Sequence, residues 1–441
     1  MTEILPTPTT WPSILLGDAA DGSGRPGRVD EAPPFAALRQ AIAGHGPIGT
    51  IAAVVASGLR GRGGAGYPTG EKWRAAAAMD ASRRYVVANG YGADPAVTTD
   101  RTLMERRPAA VVDGAAIAAF AIGASEAIIA VRAEATAAIA ALEGAIAAGE
   151  AAGRLGPDAI APGRDLIVRV RTVQGAYMLG EETVLLKALE GRRGQPEQRP
   201  PHPTERGLFG APTVVQNVQT LAALPWIFRH GPEAFAATGA PHSPGTILVQ
   251  VRGPERTGIA EIPLGARLGD VIALGGTVSA GHRLKAILVG GPSGGILPAD
   301  ALDTPYDFET LRGAGAHIGS GSVIAVDERA CVVDLARLLT RFCADEACGK
   351  TIPCRIGTRR LTEIGDRVVG GLPRPTDLQL LADLSHDMVE SALCDHERLT
   401  TFPYMSGMRY FRAEIDDHVL RSSCPAGVCH PTAVTAAVGA Q

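Results

Sequence analysis

Three short apolar runs, each leading into a segment of helical character, constrain the fold of this chain more than any other feature. "RYVVANG" (84–90), "EAIIAVR" (126–132) and "DLIVRVR" (165–171) read as strands, because β-branched residues between turn signals suit a buried, pleated surface. Between them lie "PAAVVDGAAIAAFAIGA" (108–124) and "AEATAAIAALEGAIAAGEAAG", Ala-rich and too long for strands. This alternation predicts an α/β fold with a parallel sheet covered by helices. Ligands of such sheets gather at the carboxyl ends of the strands. The loops after residues 87 and 171 are therefore the ones to watch.

Upstream, "FAALRQAIAGHG" and "TIAAVVASGL" read as two short helices, and the second runs into "GLRGRGGAGYPTGEKW" (58–73). Six of these sixteen residues are glycine, with Arg60, Arg62 and Lys72 among them. Bare backbone lets main-chain N–H groups converge on one point, and convergent N–H groups beside cations form an anion nest. A phosphate-bearing ligand is one reading; a flexible surface loop is the other.

Beyond residue 171, Gly180, Glu181 and Glu182 open a helix whose Arg/Pro-rich tail cannot be helical. "GAPTVVQNVQTLAALPWI" reads as a turn and a further helix. Near residue 240 the texture changes to short strands between Gly turns, a small β-rich unit over about 245–295, and the remainder is mostly helical. Five of the seven cysteines lie beyond residue 345, which in a reducing compartment points to metal before disulfides. A net charge of −4 with 4% aromatic residues argues against a nucleic-acid partner. No uncharged apolar run is long enough for a membrane span, and the N-terminus lacks a secretory signal. A cytoplasmic protein of two to four domains is the expectation.

Six windows, in order, resemble the NADH-binding flavoprotein subunit of respiratory complex I and the same module of NAD-linked [NiFe] hydrogenases and NAD-dependent formate dehydrogenases. They are "GLRGRGGAGYPTGEKW", "GEETVLLKALEGRRGQPEQRPP", "GAPTVVQNVQTLA", "GGPSGG", "LDTPYDFETLRGAGAHIGSG" and "CGKTIPCRIGTRR". The resemblance implies an extended arm (1–35), a Rossmann-like FMN/NADH domain (36–240), a ubiquitin-like β-grasp domain (241–325) and a helical iron–sulfur domain (326–441). It implies that FMN lies against Gly61, Arg62, Gly63, Gly64 and Lys72. Asn89, Asp94, Tyr177, Gly180, Glu181, Glu182, Gln216, Asn217 and Thr220 match further pocket positions, and Tyr67, Arg199 and His202 match nucleotide positions. The implied function is electron transfer: NAD(P)H reduces FMN, and single electrons pass through a cluster to a partner such as a thioredoxin-like [2Fe–2S] subunit or a ferredoxin. A repurposed homologue with another donor, or a docking subunit, is the alternative.

The departures from the family pattern are as informative. "NGYGADPA" puts Tyr91 and Gly92 where the family has acids, leaving only Asp94. Ala75 and His202 stand where it has aromatics, and Gln219 replaces a glutamate. The family ligates a [4Fe–4S] cluster through C-x-x-C-x-x-C and a distant cysteine. Here Cys348, Cys354 and Cys394 remain, with Thr351 in the second position. A hydroxyl is a poor iron ligand beside thiolate, so the open options are a three-cysteine cluster, a three-iron cluster, Cys343 as substitute, or no cluster. A labile cluster is the expectation. Cys424 and Cys429 read as structural, or as ligands shared with a partner, and His386, His396 and His430 as surface or packing residues.

Overall fold

The structure is a computed structural model, and residues 2–17 and 34–429 are described. The first sheet comprises β1 (Tyr85–Gly90), β2 (Glu126–Arg132), β3 (Gly156–Ala161), β4 (Arg164–Val173) and β5 (Thr213–Asn217), in the order β3-β4-β2-β1-β5. β4, β2, β1 and β5 are parallel, and β3 caps the edge antiparallel to β4. β5 corrects the sequence reading of this segment as a turn before a helix. Thr213, Val214 and Val215 are β-branched and buried, and they pair with Tyr85, Val86 and Val87. The helix begins only at Val218, capped by the Asn217 side chain. β3 is likewise absent from the sequence reading, because its Gly, Pro and Asp residues carry no strand signal.

Helix Pro108–Ile122 is buried along most of its length and ends on Gly123 at φ 73°. Gly114 brings it onto helix Val218–Ala222, where an added Cβ would lie 1.9 Å from the Leu221 carbonyl oxygen.

A two-residue ladder, β6 (Gly239–Ala240) with β7 (Ser243–Pro244), leads into the second sheet. Its strands are β8 (Thr246–Arg252), β9 (Thr257–Pro263), β10 (Leu284–Val289), β11 (Gly295–Pro298) and β12 (Ser322–Asp327), in the order β11-β10-β12-β8-β9. The central β8–β12 pair is parallel and the others antiparallel. With helix Leu268–Ala273 on one face, this is the β-grasp arrangement. Period-two alternation lets β10 serve two cores. Ile287 and Val289 pack inside the β-grasp unit, while Ala286 and Leu288 pack against the helical bundle that follows.

That bundle includes helices Val332–Asp345, Thr358–Val369, Asp377–Ser391, Phe402–Tyr410 and Arg412–Arg421. The described part of the arm lies against the β-grasp unit. The Leu5 N–H donates to the Ile259 carbonyl at 2.8 Å. The Glu261 carboxylate accepts from the N–H groups of Ile14, Leu15 and Leu16 at 2.7–2.8 Å.

Candidate flavin, nucleotide and cluster site

The parallel register pairs Asn89 with Asn217 at the carboxyl ends of β1 and β5. β1 has β2 on one side and β5 on the other, so the chain's crossovers leave this edge in opposite directions. This is the switch point at which parallel sheets bind ligands. The Gly-rich loop lies against it. The Gly61 N–H donates to the Tyr67 carbonyl and the Thr69 N–H to the Leu59 carbonyl, both at 2.9 Å, closing the loop ahead of helix Thr69–Ala77.

The glycines divide into two groups. Gly64 (φ 101°) and Gly66 (φ 68°) are held against protein, with added Cβ atoms meeting Gly319 at 2.7 Å and Phe308 at 2.5 Å. At Gly61 and Gly63 an added Cβ would find no protein atom nearer than 3.5 Å. Gly61 and Gly63 thus form an open cradle over the Asn217 edge that a side chain would fill, which fits a ligand approaching bare backbone. Arg62 departs from the expectation that its charge joins this nest. Its guanidinium donates to the carbonyls of Thr246, Arg60 and Pro244, and its own N–H donates to Thr220 Oγ1 at 2.8 Å. Arg62 and Thr220 therefore fix the loop to β8 and to helix Val218–Ala222.

Lys72 faces the crevice. Its ammonium donates to Glu182 at 2.9 Å and to the Val215 carbonyl at 3.2 Å, leaving one of its three protons for a ligand. Arg199 pairs with both Glu181 and Glu182. Glu181 caps helix Glu182–Leu189, accepting from the Val184 N–H at 2.8 Å. Burial raises the Glu181 carboxyl above the usual range, opposed by its Thr183 bond and by Arg199. Burial disfavours the Glu182 carboxylate as well, but Lys72 and Arg199 outweigh it and hold the group below that range. Gly180 sits 3.4 Å, measured from an added Cβ, from Ala93 in the loop after β1. Tyr67 and His202 are exposed at the rim, and Ala75 lies on the exposed face of helix Thr69–Ala77.

The departures have structural uses. Tyr91 is buried; its hydroxyl donates to the Gly175 carbonyl at 2.6 Å, and its ring lies under the Arg132 guanidinium at 4.4 Å. Gly92 takes φ 59° with open space around an added Cβ, a conformation that disfavours glutamate. Asp94 is buried and accepts from Ser320 Oγ at 2.7 Å and the Ala96 N–H at 2.9 Å, tying the loop after β1 to the β-grasp unit. Asn89 accepts from the Tyr91 N–H at 3.1 Å. Gln216 is buried near Gly61.

Cys348, Cys354 and Cys394 come together. After burial, the Cys394 thiol is pushed up to about 12 by Glu181, Cys354 and Cys348 among its neighbours. Burial with Glu397 and Cys348 pushes Cys354 up to about 11. Three cysteine sulfurs gathered in this way fit an iron–sulfur group, which binds cysteine as thiolate. The Thr351 hydroxyl does not stand free: it donates to Glu397 at 2.9 Å and accepts from the Cys354 N–H at 3.2 Å. Cys343 is fully buried, and that burial pushes its thiol up to about 12, with a Thr400 bond opposing the rise and the charges of Asp94 and Glu346 adding to it. Tyr177 sits beside the short helix that follows Cys394. Its hydroxyl lies 3.4 Å from Ser293 Oγ, and its ring lies 5.6 Å from that of His396, two residues after Cys394. His396 is buried, and its Nε2 lies 2.8 Å from the Cys343 carbonyl.

This fold and these pockets define an oxidoreductase subunit that holds a flavin beside an iron–sulfur group. Residues 54–226 match the family described as the Nuo51 FMN-binding domain, and residues 334–418 the NADH-ubiquinone oxidoreductase-F iron–sulfur binding region. The NADP-reducing hydrogenase subunit HndC of Solidesulfovibrio fructosivorans is 39% identical over 385 residues, 87% of this chain and 78% of that one. The NADH-quinone oxidoreductase F subunit of Mycobacterium tuberculosis (strain ATCC 25618 / H37Rv) is 40% identical over 403 residues, 90% of each. The crystal structure of an NAD+-reducing [NiFe]-hydrogenase in the H2-reduced state superposes with a TM-score of 0.83 at 31% identity, over 95% of this chain and 68% of that one. The chain belongs to the family of NADH-binding, FMN-binding subunits of NADH-quinone oxidoreductase type.

One cluster of side chains escapes the sequence reading. Cys331, His418, Cys424 and Cys429 place their ligand atoms within 4.8 Å of one another. Cys424 and Cys429 stand out in the sequence, but Cys331 and His418 carry no local signal. His386 lies on helix Asp377–Ser391, apart from this group, and His430 lies outside the described residues.

Proposed function

We propose that FMN seats its phosphate on the Gly61–Gly63 cradle and its ring over the Asn89–Asn217 edge, and that NAD(P)H delivers reducing equivalents there. The observation that carries this reading is the pairing of Asn89 with Asn217 beneath a loop whose Gly61 and Gly63 present bare backbone. When bound, FMN accepts a hydride and releases electrons singly. This chain's residues then have positioning and electrostatic work. Lys72, with one proton uncommitted, meets the phosphate. Glu181 and Glu182, balanced by Arg199 and Lys72, present paired carboxylates at the helix start near the nucleotide. Tyr67, Arg199 and His202 line the nucleotide rim.

Cys348, Cys354 and Cys394 hold the cluster, and the Tyr177 ring packs on that of His396, two residues after Cys394. A thioredoxin-like [2Fe–2S] subunit or a ferredoxin receives the electrons on the cytoplasmic side. Among the described residues no helix is long and apolar enough to cross a membrane.

A second reading, a different electron donor, draws on the exposed Ala75 and on the lack of an acid at positions 91 and 92. One anaerobic absorption spectrum separates the two. Flavin bands that bleach on adding NADH or NADPH support nicotinamide oxidation. Flavin that stays oxidised with both, yet is reduced by a ferredoxin or a deazaflavin photoreductant, supports the second reading.

A further inference from the structure

Cys331 precedes helix Val332–Asp345, His418 lies on the last described helix, and Cys424 and Cys429 lie in the loop after it. Nothing in the flavin or cluster pockets uses them. Cys331 Sγ is 3.3 Å from His418 Nε2 and 3.5 Å from Cys429 Sγ, and Cys429 Sγ is 3.5 Å from His418 Nε2. A zinc ion with Zn–S of about 2.3 Å and Zn–N of about 2.0–2.1 Å spaces tetrahedral ligands about 3.6–3.8 Å apart. The observed edges need only a slight expansion to admit it. A cubane cluster places each thiolate on a separate iron and spreads the sulfurs further. A disulfide needs an S–S separation of about 2.05 Å, and Cys331 and Cys429 are 3.5 Å apart.

The surroundings are also those of a ligand set. His418 Nδ1 lies 2.8 Å from the Glu414 carbonyl, which can only accept. The ring therefore carries its proton on Nδ1 and aims the Nε2 lone pair at the sulfurs, the outer hydrogen bond typical of metal-bound histidine. The Asp334 N–H donates to Cys331 Sγ at 3.4 Å, and the Cys429 and Val428 N–H groups bond Cys424. Cys331, His418 and Cys429 are buried.

We propose that Cys331, His418, Cys424 and Cys429 bind one structural Zn²⁺, in a site separate from the iron–sulfur pocket. Three thiolates, one imidazole and no open position make a closed tetrahedral set, the pattern of structural rather than catalytic zinc. The ion joins points 87 and 98 residues apart. It clips the outgoing chain to the junction between the β-grasp sheet and the bundle.

The test is metal analysis of the whole protein purified without chelator. One zinc per chain, counted apart from iron, is expected. His418→Asn and Cys424→Ser should lose most of it while flavin occupancy is unchanged, and proteases should then cut within 422–429. If these variants do not fold, the wild-type protein reconstituted with Co²⁺ should show the intense visible bands of a tetrahedral thiolate site. Absence of zinc together with absence of those bands overturns the proposal. So do iron in this site, a Cys331–Cys429 disulfide, or undiminished zinc in folded variants.

A second observation stands independently and rests on the cluster reading. Glu397 is buried among the cluster positions. Its carboxylate accepts from the Thr351 hydroxyl at 2.9 Å and from the Leu393 N–H, next to Cys394, at 3.0 Å, and Thr351 in turn accepts from the Cys354 N–H at 3.2 Å. We infer that the Glu397 carboxylate is the fourth iron ligand, in place of the thiolate missing at Thr351. Iron content and electron paramagnetic resonance of anaerobically reconstituted protein test this. Wild type should hold four irons, Glu397→Gln should drop to a three-iron form, and Thr351→Cys/Glu397→Gln should recover four. A three-iron wild type, or a Glu397→Gln protein as stable in iron as wild type, overturns it. Protein without iron but with flavin in place would remove the cluster reading itself.

Discussion

The Gln219 side-chain amide donates to Asp100 Oδ1 at 2.8 Å, while Asn217 donates to the other oxygen at 2.7 Å. Gln219 Oε1 in turn accepts from the Leu248 N–H at 2.9 Å, reaching into β8. The replacement of the family's glutamate thus has a physical partner in this chain. Asp100 is a carboxylate whose affinity for protons burial raises, against the bonds from Gln219 and Asn217. An amide at 219 satisfies it, where a second carboxylate would repel it.

Gln219→Glu should therefore destabilise the protein at neutral pH by about 3 kcal/mol, the usual scale for an uncompensated buried charge. The loss should shrink as pH falls, because the carboxylate pair then binds a proton in the folded state. Urea unfolding at two pH values checks this, and Asp100→Asn should restore most of the stability.

Gly63→Val should abolish flavin retention while leaving the fold intact. The nearest protein atom to the first added carbon is at 3.5 Å, an ordinary contact. Gly64 is a poorer probe, since a side chain there strikes Gly319. Flavin absorbance and a thermal melt of the same sample separate lost binding from lost folding. Full flavin occupancy in Gly63→Val would place the phosphate elsewhere.

Burial pushes the Asp113 carboxyl, which accepts from the Leu38 N–H at 3.2 Å, up to about 7. The folded state then holds a proton that the unfolded chain releases near pH 4. This contribution is complete below about pH 4 and is lost as pH rises through about 7. Asp113→Asn keeps the acceptor and removes the titration. It should gain a few kcal/mol over wild type at pH 8, since each pH unit between the folded and unfolded values is worth about 1.4 kcal/mol, and nothing at pH 4. Stability curves from pH 4 to 8 give the measurement.

Glu261→Ala removes the acceptor of three backbone N–H groups in the arm. Limited proteolysis should then cut within residues 2–17 much faster than in wild type, with a stability loss of about 2–4 kcal/mol. Glu261→Gln, which retains one acceptor oxygen, should lose less.

Much of the fold is legible in the sequence because its signal is local. β2 matches its apolar run residue for residue, and helix Pro108–Ile122 follows its alanines to Gly123. The windows of the resemblance locate the flavin loop and the retained thiols. What escapes depends on distant partners. Thr213–Asn217 becomes a strand because β1 offers it a parallel edge. The Arg62 guanidinium looks available to a phosphate until the carbonyls of 244 and 246 are placed beside it. Tyr91 reads as a lost acid until the Gly175 carbonyl receives its hydroxyl. Nor can a lone histidine such as His418 be joined by eye to a cysteine 87 residues away.

The grip of Glu261 on Ile14–Leu16 also sets an order of events during synthesis. The arm leaves the ribosome well before its acceptor, which lies 245 residues behind Leu16. The first sheet, complete at Asn217, has left the ribosome before β9, so it can assemble while the arm waits undocked, as expected for a chain that folds unit by unit from its N-terminus. Ile14, Leu15 and Leu16 are therefore made early and docked late, and their backbone N–H groups stay open to water or to a chaperone until Glu261 has been made.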